Sequence, residues 1–323
     1  MKSIWITWEV QRRNRSMSDA LDASFYELVT KRKGVFRYLE LGFKTFFLLL
    51  RERPDVVFAQ NPSIVLSVIV VFFKRFFGYS SVVDEHNAGL FPLDGRSKIL
   101  NRISKYIVLF SDFVIVTNES LYNLCLEWGG RPVIMPDPIP YLSIDSLKEK
   151  SITNDVFRVL FVCSWADDEP YSEVLTSASE LPSNYYEIRI TGRPPVGVES
   201  ACSDSVKLLG FVSEEDYVKE LFYSDAVIVL TKREDCLNCA AYEAVAAGKP
   251  GILSDKHALR EYFHSGFIFT ENRSDNIRDS VKLMRSKKDF YADQILELRR
   301  SLLVRDKASL IKLKNIVYKG FLD

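Results

Sequence analysis

What this chain lacks narrows its function before any motif is read. Its 43 Lys/Arg balance 43 Asp/Glu, so no overall positive charge points to nucleic acid. Cysteine is sparse: five residues, odd in number and scattered, supply no disulfide framework and fit a reduced, cytoplasmic setting. The start shows none of the basic, apolar and small-residue succession of a secretory leader, since Lys2 runs straight into the strand-like Ser3–Trp8. Long apolar runs are missing too. Leu41–Leu50 and Ile64–Phe77 are strongly apolar, but Lys44, Lys74 and Arg75 interrupt or end them, short of the ~20 residues that a bilayer span requires. The chain has no fixed-period repeat, no low-complexity segment, no Gly-x-x-x-x-Gly-Lys-Ser/Thr loop, no Gly-x-Gly-x-x-Gly fingerprint and no Gly-x-Ser-x-Gly elbow. Cys236-Leu237-Asn238-Cys239 has no second pair and no thioredoxin-like context, which argues against a zinc or redox centre.

What is present is a regular alternation. Short β-branched runs at Ser3–Trp8, Asp55–Ala59, Ser81–Asp84, Phe113–Thr117 and Pro132–Met135 are separated by helical patterns at 18–31, 64–77, 96–110 and 120–128. After Pro136-Asp137-Pro138-Ile139-Pro140 and a polar stretch over 143–155, a second series begins. Its strands are expected at Phe157–Cys163, Tyr186–Thr191, Val206–Leu209, Ala226–Leu230, Gly251–Leu253 and Phe267–Phe269. Its helices are expected over 169–180, 214–223, 240–247 and 274–285, with a basic helical stretch over 293–318 closing the chain. Such alternation implies βαβ units and parallel sheets buried on both faces.

The expected organisation is therefore an α/β fold of two facing Rossmann-like domains. Residues 1–140 form the first, 141–156 a linker, 157–300 the second, and 301–323 a C-terminal helix able to pack back on the first. Two such sheet edges facing each other make a cleft, because open α/β sheets bind ligands beyond the carboxyl ends of their strands.

The most informative segment runs from Leu230 to Pro250: Leu-Thr-Lys-Arg-Glu-Asp-Cys-Leu-Asn-Cys-Ala-Ala-Tyr-Glu-Ala-Val-Ala-Ala-Gly-Lys-Pro. A strand ends, charges crowd a loop, a small-residue helix follows, and Gly-Lys-Pro leads into the next strand. Asp235 and Glu243 are separated within it by seven intervening residues. This pattern resembles the GT-B glycosyltransferases, especially the retaining glycosyltransferase family 4, whose signature is an acid, seven residues, Glu-Ala and then Ala-x-Gly-x-Pro. Here Asp replaces the usual first Glu. The resemblance implies that Asp235 contacts hydroxyls of the donor sugar and Glu243 the ribose, with Glu234 a rival one residue out of register. A carboxylate suits either task because it can accept hydrogen bonds from two vicinal hydroxyls. Lys232, Arg233 and the helix amino end, with Cys236, Leu237 and Asn238 beside it, would meet the diphosphate.

Neighbouring segments follow the same family in order. Leu209-Gly210-Phe211-Val212-Ser213-Glu214-Glu215 resembles the segment that touches the base, making Phe211 and Val212 donor-site candidates. Arg193, after Ile190-Thr191-Gly192, could meet the diphosphate. In the first half, Asp84-Glu85-His86 ends a strand where the family often has Asp-x-His, and the resemblance implies that His86, one of three histidines, approaches the transferred sugar. Asn61, Asn87 and Asn118 end neighbouring strands and are expected to line the cleft or to cap helices. Two departures matter. Ser164–Glu169 holds no basic residue where the family usually places a Lys for the diphosphate. The first βα loop has Arg12, Arg13 and Arg15 in place of a Gly-Gly pair, suited to donor phosphates or to a lipid diphosphate.

The function so implied is transfer of a sugar from a nucleotide-sugar donor to an acceptor hydroxyl on a lipid-linked or surface polysaccharide glycan, with retention and without a metal or other cofactor. Residues 1–75 hold 13 Lys/Arg against 7 Asp/Glu, and this basic region beside apolar helices suggests peripheral contact with the inner face of a membrane, although those helices could equally be core. Two rivals use the same scaffold: a non-catalytic nucleotide-sugar or glycan-binding protein, and a sugar-nucleotide epimerase.

Overall fold

The computed structural model describes residues 1–61, 63–142 and 156–319, without the side chains of Arg12, Ala201 and Lys319. The stretch expected to be the linker lies, over 143–155, outside the described residues. The chain divides into two compact units, Met1–Pro138 with Arg305–Asp323, and Ile139–Val304.

The first unit runs β1 (Ser3–Thr7), α1 (Arg12–Ala20), β2 (Ser24–Glu27), α2 (Gly34–Glu52), β3 (Val56–Asn61), α3 (Ile64–Phe77), β4 (Ser80–Glu85), the short α4 (Asn87–Leu90), α5 (Lys98–Phe110), β5 (Phe113–Val116), α6 (Glu119–Glu127) and β6 (Pro132–Ile134). All pairings are parallel, in the order β2-β1-β3-β4-β5-β6. Alternate side chains feed opposite cores. Trp5, Phe58 and Val82 pack on one face, with the Trp5 and Phe58 rings stacked at 5.4 Å, while Ile4, Ile6, Val57 and Ala59 pack on the other against α2 and α3.

The expected helix over 18–31 does not form. α1 ends at Ala20, Asp22 adopts a left-handed φ of 54°, and Ser24–Glu27 becomes an edge strand beside β1. A four-residue edge strand is too short to show a period of two, and Phe25 and Tyr26 favour extended backbone.

The second unit contains β7 (Phe157–Phe161), α7 (Tyr171–Ser179), β8 (Tyr186–Thr191), β9 (Val206–Gly210), α8 (Glu214–Tyr223), β10 (Ala226–Val229), α9 (Cys239–Ala247), β11 (Gly251–Ser254), α10 (His257–Tyr262), β12 (Phe267–Thr270), α11 (Ser274–Ser286) and the start of α12 (Lys288–Lys319). Its parallel sheet has the order β12-β11-β10-β7-β8-β9. Ala240, Ala241, Ala244 and Ala246 let α9 lie close on the sheet, in a core shared with Leu160, Val227 and Leu253. The later residues of α12 belong to the first unit, where Leu313 and Val317 are fully buried beside Trp5, Met17 and Phe58.

Each sheet reverses its strand order once, between β1 and β3 and between β7 and β10. Loops leaving the carboxyl ends of such a pair diverge and open a crevice, the usual ligand site of this architecture. The charged segments singled out from the sequence fall on these loops.

Candidate functional site

In the second unit, the β10 loop carries Thr231 to Asn238 and delivers the chain to α9. Residues 240–246 of α9 are buried, with Glu243 the half-buried exception. Its carboxylate accepts a hydrogen bond from the Tyr217 hydroxyl of α8. Tyr217 also lines a cavity of about 770 Å³ at the carboxyl ends of β7, β8 and β9. Arg193, Phe211 and Val212 line the same cavity, and the Arg193 guanidinium lies over the Phe211 ring, 5.6 Å from its centre. Four residues expected to bind donor thus meet in one place, three in the wall and Glu243 one hydrogen bond behind it. Tyr217 was not foreseen, because a tyrosine in the first turns of an amphipathic helix carries no motif.

The other charges of the β10 loop find partners inside the unit. The Lys232 ammonium donates to the Asp167 carbonyl at 3.1 Å, and its backbone N–H donates to that of Asp168 at 2.7 Å. The Arg233 guanidinium lies 3.6 Å from the Asp168 carboxylate, which also accepts from the Thr231 hydroxyl at 3.1 Å. Lys232 and Arg233, expected to face a diphosphate, are thus drawn toward the acidic β7 loop. Glu234 is exposed and pairs with Lys256 at 2.5 Å. Asp235 and Cys236 are half-buried, Leu237 packs against the α9 core, and Asn238 is the N-cap of α9.

The β7 loop explains its own lack of a base. Glu169 turns back so that one carboxylate oxygen accepts from the Ser164 and Ala166 backbone N–H groups, both at 2.9 Å, and from the Ser164 hydroxyl at 3.1 Å. Trp165 between them has a left-handed φ of 64°, which aims successive amides inward as in an anion-binding nest. The amides of this turn are therefore taken up by an internal carboxylate. Among the described residues lining the cavity, Arg193 is the one Lys or Arg.

In the first unit, Arg13 and Asp84 meet at the carboxyl ends of β1 and β4. The Arg13 Nε and Nη2 donate to the two Asp84 oxygens at 2.9 and 2.8 Å, Nη1 pairs with Asp137, and Nη2 also reaches the Met135 carbonyl at 3.0 Å. Burial alone would raise the Asp84 pKa, but the Arg13 charge, and then His86, outweigh it and hold the carboxyl well below the usual range. Arg13 is therefore an internal counter-ion, which corrects its expected role at a phosphate: it points into the unit because a buried Asp84 demands a fixed cation. Arg15 remains exposed and lies 3.2 Å from Glu27, while the Arg12 side chain is outside what the structure describes.

The His86 Nε2 lies 3.3 Å from Asp84 Oδ2, and the ring is half-buried. On the opposite face of β4, the fully buried Glu85 accepts from the Asn61 amide at 3.0 and 2.9 Å. Burial pushes the Glu85 carboxyl up to about 8; the Asn61 hydrogen bonds oppose this and the Asp84 charge adds to it. Gly89 allows the tight fit, since a Cβ there would stand 2.3 Å from a Glu85 oxygen. Asn87 opens α4, and Asn118 caps α6 by accepting from the Leu121 N–H at 3.0 Å. Asn61, expected to line the cleft or cap a helix, is instead fully buried and held by Glu85. The signal for Glu85 was available: an acid inside a strand buried on both faces demands a partner.

No protein-family model matches the chain, and no characterised protein matches it by sequence. Solved structures do match its coordinates. Anabaena HepE (Alr3699) in complex with UDP is 12% identical with a TM-score of 0.73, the match covering 99% of each chain. Sucrose-phosphate synthase from Thermosynechococcus elongatus is 12% identical with a TM-score of 0.79, covering 100% of each. The fold is GT-B. A GT-B chain carries two Rossmann-like sheets, as found here, and different chemistries occupy the same frame: a putative UDP-N-acetylglucosamine 2-epimerase from Listeria monocytogenes is 11% identical with a TM-score of 0.62, covering 99% of this chain and 97% of that one. The GT-B likeness speaks to architecture, and the chemistry must be argued from side chains.

Proposed function

We propose that this GT-B chain is a retaining glycosyltransferase of the family 4 type, binding a nucleotide sugar in the second unit and an acceptor glycan in the first. The observation that carries the reading is Glu243: the half-buried acid of an otherwise buried helix segment, held by a tyrosine that lines the cavity with Arg193 and Phe211. In this reading Glu243 binds the ribose hydroxyls and Asp235 the sugar, while Phe211 and Val212 flank the base. Support for a nucleotide-sugar donor comes from the UDP held by HepE in the same fold.

The reaction is attack of an acceptor hydroxyl on the anomeric carbon. The bond to the diphosphate breaks, the electron pair leaves with the nucleotide, and the acceptor proton is released. Arg193 stabilises the departing diphosphate, and His86, beside ionised Asp84, approaches the transferred hexose. The reading calls for no metal or cofactor, since fixed positive groups and helix amides can supply the charge stabilisation. We assign the acceptor to lipid-linked glycans of surface polysaccharide assembly on the cytoplasmic side of a membrane.

A thermal-shift screen against UDP-, GDP-, ADP- and CMP-sugars tests the donor site, because a ligand of the native state raises its melting temperature. One donor class should stabilise the wild type and leave Glu243→Ala unmoved. Equal stabilisation of both proteins sinks the site. The likeness to the Listeria epimerase favours a second reading, reconfiguration of the sugar while still attached to its nucleotide. Product analysis separates the two: transfer yields free nucleotide and a glycosylated acceptor, whereas epimerisation yields an isomeric nucleotide sugar.

A further inference from the structure

α2 and α3 present two apolar faces each. Leu41, Leu48 and Leu49 of α2, with Leu66 and Val70 of α3, are buried against the first sheet. Gly42 faces α3, where an added Cβ would make ordinary contact with the Ile69 side chain at 3.4 Å. The opposite face, which carries Phe36, Phe43, Phe47, Phe72 and Phe76, is exposed, each ring being at least 53% accessible. Phe46, Phe47, Phe72, Phe73, Phe76 and Phe77 form one continuous run of rings with neighbouring centroids 5.2–5.9 Å apart. An apolar groove of about 490 Å³ runs between the helices, lined by Val35, Leu39, Phe43, Phe46, Ile69 and Phe73 among others. So large a contiguous apolar surface on a water-facing unit marks a binding surface.

Its charge says what it binds. Residues 31–53 carry seven Lys/Arg against two Asp/Glu, and the exposed Lys31, Lys33, Arg53 and Arg75 stand at the ends of the two helices. Phenylalanines bordered by cations suit an anionic bilayer surface, where rings enter the acyl boundary and ammonium or guanidinium groups meet phosphates. Protein interfaces, by contrast, are depleted in lysine, and a two-fold pairing of this patch with itself would oppose like charges. Among the described residues no helix is long and apolar enough to cross a membrane.

We infer that the exposed α2–α3 face docks the protein peripherally on an anionic lipid bilayer, inserting Phe36, Phe43, Phe47, Phe72 and Phe76. The inference rests on the membrane-bound acceptor reading, but the experiment below uses neither donor nor acceptor. A soluble acceptor, or no transferase activity, would therefore leave its result standing.

The full chain is mixed with phosphatidylglycerol/phosphatidylcholine vesicles and with pure phosphatidylcholine vesicles, then floated on a density gradient. Wild type is expected to float with the anionic vesicles and to be released by high salt. The triple variant Phe43→Ser/Phe47→Ser/Phe72→Ser, whose sites are already solvated, should keep its far-UV spectrum and monomer elution while binding at least ~10-fold more weakly. Lys31→Glu/Lys33→Glu should weaken binding to anionic vesicles and flatten its salt dependence. Three outcomes overturn the inference: no flotation of wild type at low salt, unchanged flotation of the triple variant, or a wild-type dimer that the phenylalanine substitutions dissociate.

Discussion

The Arg13 guanidinium grips both carboxylate oxygens of Asp84, and neither side chain is more than 6% exposed. Removing one partner of a buried pair strands the other charge, which costs about 3–5 kcal/mol. Arg13→Met is therefore expected to destabilise the protein by that order in urea unfolding. Arg13→Lys should recover little, because an ammonium cannot reproduce the two-pronged contact. Adding Asp84→Asn to Arg13→Met should restore much of the stability, and a double-mutant cycle measures the coupling. If the proposed transfer reaction is correct, the double variant should still be inactive in it, since His86 no longer faces an ionised carboxylate.

Glu85 predicts a pH dependence of opposite sign from that of Asp84. A glutamate in the unfolded chain releases its proton near ~4.3, whereas buried Glu85 holds it up to about 8. Between these values the native state binds a proton that the unfolded chain has lost, so the Glu85 contribution to stability falls as pH rises and is gone above the upper value. The Asp84 contribution is present above its unfolded value, near ~3.9, and is lost only as pH falls further. Glu85→Gln should thus flatten the stability profile from pH 5 to pH 8 and gain most over wild type at the alkaline end. Urea midpoints at pH 5, 6.5 and 8 check this; parallel curves for the two proteins would refute it.

The Tyr217–Glu243 contact allows a graded test of the proposed donor site. Tyr217→Phe keeps the ring in the cavity wall and deletes one hydrogen bond, worth about 0.5–1.5 kcal/mol, or roughly a 2- to 10-fold loss of affinity. Calorimetric titration with the donor found by screening should show that step, and a complete loss for Glu243→Ala.

Gly192 precedes Arg193 with a φ of 82°, and a Cβ there would come within 2.4 Å of the Cys163 carbonyl oxygen and 2.9 Å of the Trp165 ring. Gly192→Ala should cost at least ~2 kcal/mol, combining left-handed strain with overlap. It should also weaken the proposed donor binding, because relief requires the Arg193 turn to move. Unfolding and titration on the same preparation read both effects.

Much of the architecture was legible because parallel strands buried on both faces write themselves as short β-branched runs, and Ile64–Phe77 and Glu214–Tyr223 were readable to the residue. β2 was not, as a half-exposed edge strand of four residues leaves no periodic trace. Of the candidate site, Arg193, Phe211, Val212 and Glu243 were legible as residues that the fold brings together. The site was not legible in pairings: whether Arg13 faces a ligand or Asp84, or whether the β7 loop holds a phosphate or Glu169, depends on contacts 71 and 5 residues apart, which no local pattern encodes. For α2 and α3 the sequence left membrane contact and core both open, since composition does not tell a buried stripe from a solvated one.

α12 gives the chain a particular order of completion. Leu313 and Val317 share a core with Trp5 and Phe58, so strands made before the second unit wait for residues made after it. The unit formed wholly by 139–304 can close first, while its predecessor stays unsealed. A stalled nascent chain released at residue 304 should accordingly yield a protease-resistant second unit and a digestible first one.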